Sequence, residues 1–277
     1  MRKLFIAATV GLALGLSATS ATAAGGAVKP VDIDWSWEGM FGTFDREDVK
    51  KGGQIFFEVC NGCHSMDMVA YRNLVDIGWT EDEAKELAAE YEVTDGPDDE
   101  GEMFERPARL SDRIVAPYPN DKAAAAANGA VPPDLSVMTK ARKGGPDYLY
   151  SLLVGYKDEA PEGVSIPEGL NYNEYFPGHA IAMAQPLYGE SVEFPDGTEV
   201  SLEEEAKLIT TFLAWAAEPE LEERKALGLK VLLYLIILTA MLYALKHRIW
   251  SRVCLDEYTH GPYESQYQAD LDKQKKL

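Results

Sequence analysis

The sequence predicts a mainly α-helical protein with long loops, a small hairpin and one C-terminal transmembrane helix. Helix-start patterns followed by apolar residues at helical spacing predict the helices, and one long uncharged apolar stretch predicts the membrane span. Of the 277 residues, 46% are hydrophobic and 26% are charged, so the chain can build a packed core. The formal net charge of −20 argues against binding nucleic acid and favours a cationic partner.

The N-terminal residues have the pattern of a secretory signal peptide. Arg2 and Lys3 precede an apolar stretch at residues 4–16, and small residues at positions 21–23 provide a cleavage site. This stretch is shorter than the roughly 20 residues that a transmembrane helix needs. We therefore expect residues 1–23 to be removed and the rest of the chain to begin outside the cytoplasm.

Three helices of the exported part begin with side chains that cap helix N-termini. In each case an acid follows the capping residue by three positions, and apolar residues at helical spacing come next. Gly52 and Gly53 in the first helix would allow another helix to cross it closely. The three pairs are Asp45 with Asp48, Thr80 with Glu83, and Ser201 with Glu204.

Long loops lie between these helices. Residues 93–143 are interrupted by six prolines and contain one short alanine helix at residues 123–127, and a second loop covers residues 155–186. Because loops of this length are uncommon in a compact domain, we expect them to wrap around a large apolar cofactor. The turn at Asp196 and Gly197 predicts a small hairpin between residues 192 and 200.

The C-terminal apolar stretch predicts a membrane anchor. Residues 231–245 carry no charge, and residues 227–229 extend the stretch past Lys230. About 19 residues at a rise of roughly 1.5 Å span about 28 Å, close to the thickness of the bilayer core. The basic residues that follow place that side in the cytoplasm. They are Lys246, His247, Arg248 and Arg252.

These features divide the chain into four parts. We expect a signal peptide at residues 1–23, a periplasmic domain at residues 24–225, a transmembrane helix at residues 226–246 and a cytoplasmic tail at residues 247–277. Cys254 lies in that tail, where it is either a reduced, inert thiol or a lipidation site.

Cys60, Cys63 and His64 form the Cys-x-x-Cys-His sequence that attaches a c-type haem. Two thiols three positions apart on a helical turn can reach the two vinyl groups of one haem, and the next residue points its imidazole at the iron. The alternatives are half of a zinc site, which lacks a second thiol pair outside the membrane, and a redox-active thiol pair, which usually follows a strand. The motif therefore predicts covalent haem with His64 as the proximal ligand.

The ligand on the other side of the iron is open among four residues. Residues 177–186 form a loop with proline at both ends, which suits a side chain held against iron, and this favours Met183 with His179 as the alternative. Thioether ligation would raise the potential relative to ligation by two histidines. The four candidates are His179, Met183, Met138 and Met103.

The order of motifs along the chain resembles that of the cytochrome c1 family, and the resemblance covers essentially the whole mature chain. It implies a cytochrome c-like helical haem domain on a single anchor, as a subunit of the cytochrome bc1 complex, the quinol–cytochrome c oxidoreductase. The segments that carry the resemblance are residues 60–64, 106–107, 117–120, 132–136, 141–145, 175–178 and 215–219.

The resemblance also implies the residues of the haem site. It implies that Met183 is the sixth ligand of the iron and that Arg142 pairs with a haem propionate. A guanidinium can hold a carboxylate through two bonds, which agrees with that role. Tyr118, Asn128 and Tyr148 are implied to hydrogen-bond in the same region.

The implied function is electron transfer by a subunit that is not an enzyme on its own. The resemblance implies a protein of the bacterial inner membrane that lies beside cytochrome b, takes electrons from the Rieske iron–sulfur protein and reduces soluble cytochrome c. Residues 81–105 contain 12 acids and one lysine, which indicates either a docking surface for a basic cytochrome c or a solvated face. An independent membrane-anchored carrier that feeds a terminal oxidase is the alternative function.

Overall fold

The computed structural model describes residues 28–259 together with Lys273 and Lys275, with side chains described as far as Ser251 on the last helix. The predicted signal peptide at residues 1–23 lies outside the described residues. The described chain divides into two compact units. Residues 28–37 and 44–218 form the larger unit, and residues 38–43 belong with the chain from residue 219 onward.

The larger unit consists mainly of short helices joined by loops. The first helix continues into a π-helical turn at Phe56–Cys60, and a 3₁₀ helix occupies Tyr71–Ile77. The α-helices are α1 at Arg46–Ile55, α2 at Glu81–Ala89, α3 at Asp121–Asn128, α4 at Met138–Ala141, α5 at Gly145–Val154 and α6 at Leu202–Ala217.

All three predicted helix starts are confirmed. The carboxylate of Asp45 accepts hydrogen bonds from the first turn of α1, as expected of an N-cap. At the start of α2, Thr80 and Glu83 each accept from the other's backbone N–H, and Ser201 and Glu204 do the same at the start of α6. The alanine-rich helix expected at residues 123–127 is α3.

The strands form three small antiparallel pairs within the larger unit. Strand β1 at Met66–Ala70 pairs with β4 at Arg113–Ile114, and β2 at Glu92–Asp95 pairs with β3 at Phe104–Pro107. The third pair consists of β5 at Asn171–Tyr172 and β6 at Ala180–Ile181. Strands β3 and β4 and most of β2 lie within residues 93–143, which were expected to be mostly loop.

The prediction of a hairpin between residues 192 and 200 is wrong. A turn forms there, closed by the hydrogen bond from Gly197 N–H to Phe194 O at 2.9 Å, but no strands flank it in this described segment. The turn is held by α1 instead, because Lys51 Nζ lies 2.8 Å from Asp196 Oδ2 and 3.4 Å from Thr198 Oγ1. A backbone bond from Glu190 N–H to Val200 O at 3.1 Å also crosses the segment, but it does not extend into a strand pair.

The close crossing of α1 and α6 forms the centre of the core. A Cβ atom on Gly52 would lie 2.1 Å from the backbone oxygen of Leu208 and 2.8 Å from Cβ of Phe212, so only glycine fits there. Next to the crossing, the buried rings of Phe56 and Phe212 pack with their centroids 5.6 Å apart. This contact positions the π-helical turn that ends at Cys60.

The second unit contains the predicted membrane helix. Helix α7 covers Leu221–Thr259, so it continues past the predicted end of the span at residue 246. Its Leu221–Ser251 part is long and apolar enough to cross a membrane, and the most apolar part has no buried residues. Within this unit, Lys225 Nζ donates to the carbonyl oxygen of Gly42 at 3.0 Å.

Candidate haem site

One backbone turn carries both thiols and the imidazole of the motif. The N–H groups of Cys63 and His64 donate to the carbonyl of Cys60 at 3.0 and 2.9 Å, so the three side chains leave the chain from a single tight turn. Neither cysteine forms a disulfide within the described residues. Burial, and secondarily Cys63, raises the pKa of the Cys60 thiol to about 12. Redox-active thiol pairs usually have a lowered pKa, and no charged group near this turn lowers that of Cys60 in the described part of the chain.

The imidazole of His64 is oriented by the main chain. Its Nδ1 lies 2.8 Å from the carbonyl oxygen of Pro133, which can only accept, so Nδ1 carries the proton and Nε2 has a free lone pair. Burial lowers the pKa of His64, which favours the neutral form that binds metals. A hydrogen bond from the second ring nitrogen is the usual way in which proteins fix a metal-binding histidine.

The carboxylate of Asp134 ties the segment after His64 to the loop that supplies this carbonyl. It accepts hydrogen bonds from Ser65 Oγ at 2.9 Å, from Asp67 N–H at 2.7 Å and from Ser136 N–H at 2.9 Å. Burial alone would raise the pKa of Asp134, but these bonds outweigh it and hold the pKa below its ordinary value. The Leu135 N–H adds a bond to Ser65 O at 2.9 Å. The orientation of His64 therefore depends on a network that joins two distant segments.

Tyr118 and Asn128 lie beside the second cysteine of the motif. The Oδ1 atom of Asn128 is 3.6 Å from Cys63 Sγ and 3.4 Å from Tyr118 Oη. Asn128 is itself held at the end of α3, where its Nδ2 donates to Ala124 O at 2.9 Å. The structure thus brings both residues to the motif, and their bond to a propionate stays a prediction.

Arg142 and Tyr148 lie near each other where α4 passes into α5. Burial raises the pKa of Tyr148, and the nearby positive charge of Arg142 lowers it by a smaller amount. The Arg142 side chain is exposed, with Nη1 donating to Ala141 O at 3.3 Å. Their proposed contact with a propionate also stays a prediction.

The candidates for the sixth ligand differ in their surroundings. Met138 is a core residue with 6% exposure, and Met103 is 59% exposed between β2 and β3. His179 has a left-handed backbone with φ of 61°, its Nδ1 lies 3.3 Å from Asn173 O, and its ring stacks on Tyr172. Burial in the core gives Met138 a packing role, whereas His179, like His64, contacts a main-chain oxygen through Nδ1 and stays the alternative ligand.

Met183 is held through its backbone. Its carbonyl oxygen accepts from Tyr156 Oη at 3.1 Å and from Asn171 Nδ2 at 3.3 Å. The side chain itself is half-buried and makes neither of these bonds. This combination suits a thioether that is kept in place for a metal.

Together these groups fit a covalently attached haem. A c-type haem needs two thiols for attachment and two ligands for the iron. The chain offers two thiols three positions apart, a neutral imidazole with a free Nε2, and a methionine on a restrained loop. Among the residues that the structure describes, no group of three or more His, Cys, Asp or Glu side chains could hold a metal ion, so a zinc site has no ligand set there.

Comparison with known proteins decides the family. The model of the Cytochrome C1 family matches residues 35–253. The chain belongs to the cytochrome c1 family. Members of this family carry a covalently attached c-type haem and serve as electron-transfer subunits rather than enzymes on their own. The predicted family, mainly helical fold and cofactor are therefore confirmed.

The relatives include bacterial and mitochondrial members of the cytochrome c1 family. Cytochrome c1 of Rhodospirillum rubrum is 48% identical, with 91% of this chain and 98% of that protein covered. The cytochrome c1 haem protein of Saccharomyces cerevisiae is 47% identical over 89% of this chain and 80% of its own length. The cytochrome b-c1 complex catalytic subunit of Candida albicans is 47% identical, with coverage of 89% and 86%.

The structure adds residues that the sequence interpretation did not assign. In this cytochrome c1 family member, Pro133 and Asp134 orient and secure His64, although their segment was noted only as a family motif. Tyr156 and Asn171 hold Met183 and had no assigned role. No local pattern could have identified the last two, because each reaches Met183 only through the folded loops.

Proposed function

We propose that this chain carries one haem c and relays single electrons as the membrane-anchored subunit of a cytochrome bc1 complex. It takes electrons from the Rieske iron–sulfur protein and passes them to soluble cytochrome c. The observation that supports this most directly is the turn at Cys60, Cys63 and His64, with the imidazole fixed by Pro133 O and Nε2 free. This arrangement suits permanent attachment and a fixed ligand rather than exchange.

Each residue of the site has a defined task in this proposal. Cys60 and Cys63 would attach the porphyrin through thioethers, and His64 and Met183 would be the protein ligands of the iron. When bound, the haem supplies a one-electron iron couple. Because both ligands are restrained through hydrogen bonds, they need to move little when the charge of the site changes. The thioether of Met183 raises the potential relative to a second histidine.

Polar residues around the site complete it. Arg142 would pair with a propionate, with Tyr148 nearby, and the pairing would neutralise the charge of the carboxylate. Tyr118 and Asn128 hydrogen-bond in the same region, and their position next to Cys63 keeps the loop that carries them against the motif.

The proposed topology follows from the two ends of the chain. Residues 1–23 are removed, residues 24–225 lie in the periplasm, residues 226–246 cross the bacterial inner membrane and residues 247–277 lie in the cytoplasm. The unburied apolar helix and the basic residues after it support this arrangement. The anchor keeps the domain beside cytochrome b, where confinement raises its effective concentration for the Rieske protein.

The identity of the sixth ligand tests the site. Met183→Leu should abolish the charge-transfer band between methionine sulfur and ferric iron and lower the midpoint potential, because leucine offers no lone pair. Met103→Leu is the matched control, since Met103 is exposed in a hairpin and its loss should leave both readings unchanged. An unaltered spectrum and potential in the Met183 variant would exclude it as the ligand and point to His179.

Two further measurements test the attachment and the role in a complex. The haem should stay bound to the chain after denaturation and resist extraction by acidified acetone, and a colourless or extractable product would contradict covalent attachment. Purification from membranes in mild detergent should also recover cytochrome b and the Rieske protein. Recovery of the chain alone would favour the independent carrier that feeds a terminal oxidase.

A further inference from the structure

We propose that Tyr156 and Asn171 are positioning residues for the sixth ligand, holding the backbone of Met183 so that its sulfur stays within reach of the iron. Both side chains donate to the same acceptor, the Met183 carbonyl oxygen, at 3.1 and 3.3 Å. This inference rests on the proposed function, because it requires Met183 to be the ligand.

The two donors are rooted in ordered structure on separate segments. Tyr156 follows α5 and forms a β-bridge with Asn173. Asn171 belongs to β5, where it pairs with Ile181 of β6, two residues before Met183. Two donors from different segments of the chain restrict the movement of this carbonyl more than one would.

Asn173 makes the base of this arrangement rigid. It is fully buried, and its Nδ2 donates to Leu152 O in α5 at 2.7 Å. Its Oδ1 accepts from the N–H groups of Tyr175 and Phe176 at 3.0 and 3.1 Å. The loop that leads to Met183 is therefore fastened to the same helix end that carries Tyr156.

The far end of the methionine segment is secured independently. The carboxylate of Glu205, fully buried on α6, accepts from Gly189 N–H at 3.1 Å and from Ser191 Oγ at 2.9 Å. Between the two anchors, Gln185 Nε2 donates to Leu187 O at 2.6 Å. Tyr156 and Asn171 thus act on the ligand residue itself, whereas Glu205 limits the movement of the chain beyond it.

A restrained backbone matters because a neutral thioether competes weakly with other ligands. When the methionine segment moves outward, the sixth position of ferric iron becomes open to an added anion, and the entry rate reports how often this happens. Each lost hydrogen bond should make the outward state more populated, by about 2- to 10-fold. The structure therefore connects two side chains outside the ligand set to the lifetime of the iron–sulfur bond.

The test uses the full-length haem-loaded protein in detergent and measures cyanide binding to its ferric form by stopped flow. Tyr156→Phe removes only the hydroxyl, and Asn171→Ala removes the amide, so each should bind cyanide about 2- to 10-fold faster with a weaker charge-transfer band. The matched control is Thr211→Val, which loses a hydroxyl bond to a backbone carbonyl, that of Lys207 at 2.8 Å within α6. It should bind cyanide at the wild-type rate.

The outcomes separate this inference from the proposed function. If Met183→Leu leaves the spectrum unaltered, the ligand assignment itself is wrong. If that variant loses the band while Tyr156→Phe and Asn171→Ala bind cyanide at the wild-type rate, the positioning role is overturned. Equal acceleration by Thr211→Val would also overturn it, because the cause would then be general destabilisation. Should one variant fail to take up haem, the other still decides the question.

Discussion

Arg106 bridges two carboxylates next to the β2–β3 pair. Its Nη1 lies 2.6 Å from Asp112 Oδ2, and its Nε lies 2.5 Å from Asp95 Oδ2. The hydrogen bond from Arg106 is the main cause that lowers the pKa of Asp112 below its ordinary value. The segment held in this way also meets the 3₁₀ helix, because Tyr71 N–H donates to Asp112 O at 3.2 Å.

The lowered pKa predicts how stability depends on pH. Because Asp112 has a lower pKa in the folded state, its pairing stabilises the fold above its unfolded pKa of about 4, and this contribution is lost as the pH falls through the folded pKa. In Arg106→Gln the pKa returns towards normal, so the free energy of unfolding should depend less on pH below about 5. Urea unfolding at several pH values measures this. If the free energy of unfolding changed with pH equally in the wild type and in Arg106→Gln, the prediction would be contradicted.

At the scale of residues, the sequence identified the residues that carry the chemistry, but it did not identify the residues that contact them. The spacing of Cys60, Cys63 and His64 identifies the haem motif, because attachment requires only one local turn. The acceptor for His64 could not be predicted, since Pro133 is 69 residues away and contributes a backbone carbonyl, which every residue has. The role of Tyr156 could not be predicted either, because its hydroxyl bonds to Met183, which is 27 residues away in the sequence.

Helices α1 and α6 approach each other so closely that their backbones touch at Gly52. The nearest atom to a Cβ there is a backbone oxygen, which cannot rotate away as a side chain could. Because α1 leads directly into the turn that ends at Cys60, the crossing also sets where the haem motif lies in the domain.

This crossing predicts that Gly52→Ala is destabilising. Separating the helices to admit the methyl group should cost about 1–3 kcal/mol of unfolding free energy, more than alanine gains as a helix former. Thermal unfolding followed through the haem absorbance measures the loss. Gly228→Ala is the matched control, because a Cβ at Gly228 meets no atom within 4 Å. A Gly52 variant as stable as the control would contradict the packing argument.

At the scale of elements, helix starts were predictable and strand pairs were not. The cap at Thr80 and the one at Ser201 depend on residues three positions apart, so the sequence alone specifies them. Strands β1 and β4 pair across more than 40 residues, and their partners are chosen by the fold. At Asp196 the sequence predicted a strand pair that does not form. The turn is present, and it contacts Lys51 of α1 instead of joining two strands.

The whole molecule carries a large negative charge, and residues 81–105 hold much of it in one stretch. Lys85 is paired with Glu81 at 2.7 Å within this stretch, so it does little to offset the acids around it. A field of this sign speeds the encounter with a basic partner more than it tightens the complex.

This charge predicts a strong salt dependence of electron transfer to a basic soluble cytochrome c. The second-order rate should fall by at least about 10-fold between low and high ionic strength, because salt screens the attraction. Neutralising Glu86 and Asp99, as Glu86→Gln with Asp99→Asn, should weaken that dependence. The control is Glu159→Gln with Glu162→Gln, two exposed acids on another loop. This control should leave the salt dependence unchanged. A wild-type electron-transfer rate that does not change with ionic strength would exclude a docking role for residues 81–105.

The choice of partner for His64 has a consequence for the kind of reaction the molecule can carry out. Its Nδ1 bonds to a main-chain oxygen, which has no ionisable proton, whereas a carboxylate in that place could gain or lose one. A change in the charge of the iron that His64 would bind therefore need not move a proton at Nδ1. We therefore expect the molecule to transfer electrons without a proton transfer at this histidine.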